Sequence, residues 1–136
     1  MSDCIFCAIV AGDAPAEILD SDEHTVSFMD INPATAGHAL VIPKRHSADL
    51  IEIPAEDLER TIVAARRLAE RMRETLAPDG FNVINACGAA AWQSVFHYHL
   101  HVVPRFADDP LELPWVPSPG DPEEIAATAR KIRGEG

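Results

Sequence analysis

Apolar residues recur along this chain at two different spacings, and the points where the spacing changes mark its elements. Cys4 to Val10 is a short apolar run closed by Gly12 and Pro15, which reads as one or two helical turns. Glu23 to Met29 and His38 to Ile42 read as strands, joined by a turn through Asn32-Pro33-Ala34-Thr35-Ala36-Gly37. From Pro54 to Ala77 the residues Leu58, Ile62, Ala65, Ala69, Met72 and Leu76 recur three and four apart, the stripe of an amphipathic helix. Glu59, Arg66, Arg67, Glu70, Arg73 and Glu74 cover its outer surface, a proline opens its first turn, and Pro78-Asp79-Gly80 ends it. Phe81 to Ala86 and Val95 to Val103 read as a third and fourth strand, so the long helix is expected to pack on a sheet. Five prolines between Pro110 and Pro122 predict an extended arm. Asp121-Pro122-Glu123-Glu124 then caps a short terminal helix from Pro122 to Arg133, whose Lys131 and Arg133 suit the negative end of the helix dipole.

Composition narrows the class of partner. At 136 residues the chain has enough material for one core and too little for two. With 47% hydrophobic and 24% charged residues it is an ordinary globular composition. A formal net charge of -11 argues against a nucleic-acid polymer, whose phosphates demand clustered Lys and Arg, but leaves room for one small nucleotide. No run is long enough to span a membrane, and the start, Met1-Ser2-Asp3, lacks a basic leader. Three cysteines, an odd number, fit a reducing compartment, and the expected location is the cytoplasm.

The chemistry concentrates in Phe96-His97-Tyr98-His99-Leu100-His101-Val102-Val103. In a strand, side chains alternate faces, so His97, His99 and His101 are expected on one face and Phe96, Tyr98, Leu100 and Val102 on the other. Imidazole is the side chain that serves as nucleophile, base or metal ligand near neutral pH, so a row of three points to phosphoryl chemistry or to a metal. Cys4-Ile5-Phe6-Cys7 has the spacing of half a tetrahedral zinc site, with two free thiols as the alternative. The other two ligands would come from among His24, His38, His46, His97, His99 and His101.

The run from His97 to Val103 resembles the signature of the histidine triad (HIT) family of nucleotide hydrolases and transferases, in its Hint-like bacterial hydrolase branch. The resemblance implies an α+β fold with an antiparallel sheet of about five strands, the fifth near Ala16 to Leu19. It further implies a HIT domain over 1–109 and a C-terminal arm and short helix over 110–136 packed on the same domain, with a homodimer as the assembly. A structural zinc would sit on Cys4, Cys7, His46 and His97. That leaves His99 as the nucleophile, with His101 bonding phosphoryl oxygens or passing a proton to the leaving group, and His38 near the phosphate from Gly37-His38-Ala39-Leu40-Val41-Ile42-Pro43.

By the same resemblance the nucleotide would lie against Phe6, Ile9, Phe28 and Ile31, with Asp30 on the ribose hydroxyls, and the phosphate against Asn85, Gln93 and Ser94. Trp92 stands where the family carries glycine, in a loop that reads as one residue longer; it is either core filling or a wall for a leaving group or base. The expected function is hydrolysis of nucleoside 5′-phosphoramidates or related esters of a purine nucleotide such as AMP, through a nucleotidyl-histidine intermediate. A dinucleoside polyphosphate hydrolase is the near variant. A non-catalytic nucleotide- and zinc-binding interaction protein is the competing class.

Overall fold

The computed structural model describes residues 3–135; Met1, Ser2 and Gly136 lie outside it. Three helices and five strands follow one another as α1 (Ile5–Ala11), β1 (Ile18–Ser21), β2 (Thr25–Met29), β3 (Ala39–Pro43), α2 (Ala55–Thr75), β4 (Gly80–Ile84), β5 (Leu100–Arg105) and α3 (Pro122–Ile132). The strands form one antiparallel sheet in the order β1-β2-β3-β5-β4, the α+β architecture expected. No helix among the described residues is long and apolar enough to cross a membrane.

Period-two alternation assigns the two faces of the sheet. Ala39, Val41, Leu100 and Val102 point to α2, where they meet Ala64, Ala65, Leu68 and Met72. Leu40 and Ile42 point the other way and pack with Phe6, Val26 and Phe28 beneath α1. His101 pairs with Leu40 across β3 and β5, which places its side chain on the α1 face. Burying a Leu or Met side chain against α2 contributes about 1.5–3 kcal/mol, so the α2 face anchors the fold and the α1 face is left for chemistry.

Two expectations change. The buried stripe of α2 is Asp57, Thr61, Ala64, Ala65, Leu68 and Met72, while Ile62 and Leu76 stay 46% and 43% exposed. The small Thr61 and Ala64 let the helix sit close to the sheet, and Asp57 is buried because Arg45 and Arg60 pair with its carboxylate. Thr61 Oγ1 satisfies itself on Asp57 O at 2.6 Å. The fourth strand is also shorter than expected: β5 begins at Leu100, so His97 and His99 precede it, and Phe96 is 48% exposed instead of packed. Pro43 ends β3 without an N–H to continue the ladder, and the backbone of Tyr98 bonds Ser47 O in the following loop instead.

Gly37 closes the β2–β3 turn at φ +98°, directly before His38. A Cβ there would lie 2.6 Å from Leu76 Cδ1 and 3.0 Å from Pro104 Cγ, so glycine is required both by backbone and by space. None of the residues of α3 is buried. Asp121 caps it by accepting from Glu123 N–H, as its sequence predicts.

Candidate active site

The N-terminus reaches the histidine segment through a cluster of four metal-ligating groups. Cys4 caps α1 and Cys7 lies within its first turn, so both sulfurs face one spot. There His97 Nδ1 stands 3.5 Å from Cys4 Sγ, 3.5 Å from Cys7 Sγ and 3.3 Å from His46 Nδ1, with Cys7 Sγ 3.4 Å from His46 Nδ1. A zinc ion bonded at ~2.0–2.3 Å to nitrogen and sulfur needs ligand-to-ligand edges of roughly 3.3–3.8 Å, so the donor set and its spacing fit that ion. The remaining nitrogen of His97, Nε2, donates to Pro43 O at 2.8 Å, which leaves Nδ1 with the lone pair a metal would take.

His99 is oriented by the same residue. Its Nδ1–H donates to His97 O at 2.8 Å, so Nε2 carries the free lone pair. Asn85 Nδ2 donates to His99 O at 3.0 Å, and the Phe6 ring meets the imidazole edge-on with centroids 5.2 Å apart. Burial, only partly offset by the His97 carbonyl and by Asp30, keeps His99 below the usual imidazole range and so neutral at physiological pH.

His101 lies beside it, ring centroids 5.0 Å apart, and completes a chain of hydrogen bonds that starts at a backbone amide. Ala34 N–H donates to His38 Nδ1 at 2.9 Å, which forces the His38 proton onto Nε2. That Nε2–H faces His101 Nδ1 at 3.0 Å and Asp30 Oδ2 at 3.4 Å. His101 Nδ1 is therefore an acceptor, and its own proton sits on Nε2 as the unspent donor. Burial, with the neighbouring His99 and His38, pushes His101 down to about 4. By distance alone Asp30, His38 and His101 could also surround a cation, but the Ala34 amide keeps His38 Nε2 protonated, so the trio is a hydrogen-bond chain.

The remaining site residues divide by what their polar atoms already do. Asp30 spends Oδ1 on the Asn32 N–H of its own turn at 2.7 Å and turns Oδ2 to the histidines. Phe6 and Phe28 are buried edge to face at 5.4 Å with Ile9 packed beside them, while Ile31 is 89% exposed at the rim. Gln93 is buried and fully engaged: it accepts from Gly88 N–H at 2.7 Å and donates to Ala48 O and Val95 O. It braces the loop and has no amide hydrogen left for a phosphate. Ser94 is exposed next to it. Asn85 Oδ1 is buried with no hydrogen-bond partner among the described residues. Its place in the loop before the histidines was readable from sequence; its grip on the His99 carbonyl was not.

The HIT domain model matches residues 11–108. Protein hit of Bacillus subtilis is 44% identical over 103 residues, 76% of this chain and 71% of that one. The chain belongs to the HIT family. Adenosine 5′-monophosphoramidase of Schizosaccharomyces pombe is a HIT relative 36% identical over 95% of both chains. Among solved structures, a HIT protein from Bacillus subtilis superposes with a TM-score of 0.89 at 36% identity, covering 99% of this chain and 98% of its own. A zinc-bound histidine triad protein from Mycobacterium smegmatis is 44% identical over 98% of both chains, with a TM-score of 0.78. Sequence reasoning missed two HIT-site supports: Ala34, whose backbone amide sets a tautomer, and Asp57, whose carboxylate pairs at 2.8 Å with Arg45, the residue before His46. No side-chain signal marks a backbone donor, and a lone Asp on a charged helix reads as solvated.

Proposed function

We propose that this chain hydrolyses nucleoside 5′-phosphoramidates or closely related phosphate esters in two displacements. The observation that carries the reading is the tautomer of His99: with Nδ1–H held by the His97 carbonyl, Nε2 presents a neutral lone pair to phosphorus. In the first step the Nε2–P bond forms and the bond from phosphorus to the leaving atom breaks. The leaving atom takes its proton from solvent water, and His101 Nε2–H hydrogen-bonds a phosphoryl oxygen. In the second step water attacks phosphorus, the P–Nε2 bond breaks, and the proton that the water loses goes back to solvent. Neutral His101, Asp30 and His38 then stand as at the start.

Phe6, Ile9, Phe28 and Ile31 would hold the base of a purine nucleotide such as AMP, Asp30 the ribose hydroxyls, and Ser94 and Asn85 the phosphate side. The fit of Cys4, Cys7, His46 and His97 supports a structural zinc there, which when bound cross-links α1 to the loop after β3. His97 belongs to both arrangements: its ring faces the metal cluster and its carbonyl orients the nucleophile. A homodimer is supported by the outer strand β4, whose Val83 and Ile84 are exposed at the sheet edge.

Incubation with adenosine 5′-phosphoramidate, an acid-free quench and intact-mass measurement test the reaction. A nucleotidyl adduct is expected on the wild type and absent in His99→Ala, with kcat lowered by roughly 10³-fold or more. Turnover that survives His99→Ala would overturn the covalent route.

A further inference from the structure

The turn between β2 and β3 supplies the amide that sets the His38 tautomer, yet most of that turn lies in water. Ile31, Asn32, Pro33, Ala34 and Ala36 are exposed, and Thr35 is the buried residue among them. Three of its hydrogen bonds close within the turn: Asn32 N–H on Asp30 Oδ1, Ala34 N–H on His38 Nδ1, and His38 N–H on Thr35 O. Thr35 Oγ1 reaches out of it. The hydroxyl donates to Pro104 O at 2.7 Å, across 69 positions of sequence, and both groups are buried. Among the described residues no other hydrogen bond ties residues 31–36 to the body of the protein.

Pro104 lies three residues after His101 on β5, and Gly37 packs against the Pro104 ring. The strand that carries His101 is therefore the strand on which the turn carrying His38 is hung. Thr35 stands next to Ala34 in the chain, so the bond that fixes one peptide aims the other at the His38 ring. A buried carbonyl such as Pro104 O holds its donor firmly, because leaving it unpaired is costly.

We propose that Thr35 is a positioning residue of this site. Its hydroxyl, hung on the Pro104 carbonyl, holds the Ala34 amide on His38 Nδ1 and so keeps the His101 proton on Nε2, where it serves a phosphoryl oxygen. The last step rests on the nucleotidyl-transfer reading above; the geometry does not.

Imidazole nitrogen-15 shifts of the full-length chain test this alongside exchange of the Ala34 amide and turnover of adenosine 5′-phosphoramidate. The wild type is expected to show His38 and His101 protonated on Nε2 and His99 on Nδ1. Thr35→Val keeps the shape and removes the donor. In it the His38 and His101 signals should move towards the average of the two tautomers, while His99, held by its own carbonyl, stays put. The Ala34 amide should exchange roughly 5- to 10-fold faster, the opening allowed by one lost hydrogen bond. Turnover should fall roughly 10-fold in kcat, part of the ~10²–10³ that one transition-state donor is worth. Thr35→Ser, which keeps the hydroxyl, should match the wild type in all three. Unmoved His38 and His101 signals in Thr35→Val overturn the proposal, and so does a shift of His99 by as much, which marks general loosening. A wild-type His38 protonated on Nδ1 overturns it without any variant. If the tautomers respond as expected but the wild type forms no adduct and no product, Thr35 still positions the rings and the hydrolytic reading falls alone.

Discussion

Acidification from pH 7 to pH 4.5 should destabilise this protein through its histidines, and His101 shows by how much. Its ring is half-buried beside His99 and His38, and its pKa falls to about 4 from an ordinary 6.5. A histidine whose folded pKa lies below its unfolded value binds fewer protons folded than unfolded between the two values. Its contribution is therefore complete above pH 6.5 and is lost as the pH falls towards 4. At ~1.4 kcal/mol per pH unit that window holds ~3 kcal/mol, a large part of a typical 5–15 kcal/mol stability. Urea unfolding at half-unit pH intervals measures it. The wild-type free energy should drop more steeply than that of His101→Asn, the two curves converging by roughly 2–3 kcal/mol between pH 6.5 and pH 4.5. His38 is held below the usual range by the same burial and adds slope of the same sign to both proteins. Parallel curves would refute the claim that His101 is kept neutral by its surroundings.

Three further outcomes follow from particular contacts. Gly37→Ala forces a Cβ against Pro104 and Leu76 at φ +98°, and should cost ~2–3 kcal/mol by urea denaturation; an unchanged midpoint would refute the packing argument. Asp30→Ala should raise KM for a ribonucleotide substrate far more than for its 2′,3′-dideoxy analogue, and equal effects would remove Asp30 from the ribose. Elemental analysis of the purified protein should find one zinc per chain, lost in Cys7→Ser together with ~5–10 °C of melting temperature, and metal-free protein of unaltered melting temperature would defeat that assignment.

Much of this site was legible in one stretch. The period of two at His97, His99 and His101 correctly put Tyr98, Leu100 and Val102 in the core, because alternation survives even where the chain is extended but unpaired. Strand limits were less readable: β5 begins only at Leu100 because its partner β3 runs into Pro43, a constraint lying far away along the chain. The stripe of α2 was shifted for a similar reason. Hydropathy ranks Ile62 above Thr61, yet close approach to the sheet favours the smaller residue, and Arg45 makes a buried Asp57 tolerable. Gln93 reads as a phosphate donor until the structure shows its amide spent on Ala48, Val95 and Gly88.

Local order along the chain thus determined which groups are available: two thiols three apart, imidazoles on alternate residues, a glycine before His38, a tryptophan in a glycine's place. Tertiary structure alone decided which nitrogen of each ring holds a proton. That choice depends on donors and acceptors brought from Ala34, Pro43 and His97, and a hydrogen bond of 2.8–3.0 Å exists only once the sheet has placed its partners.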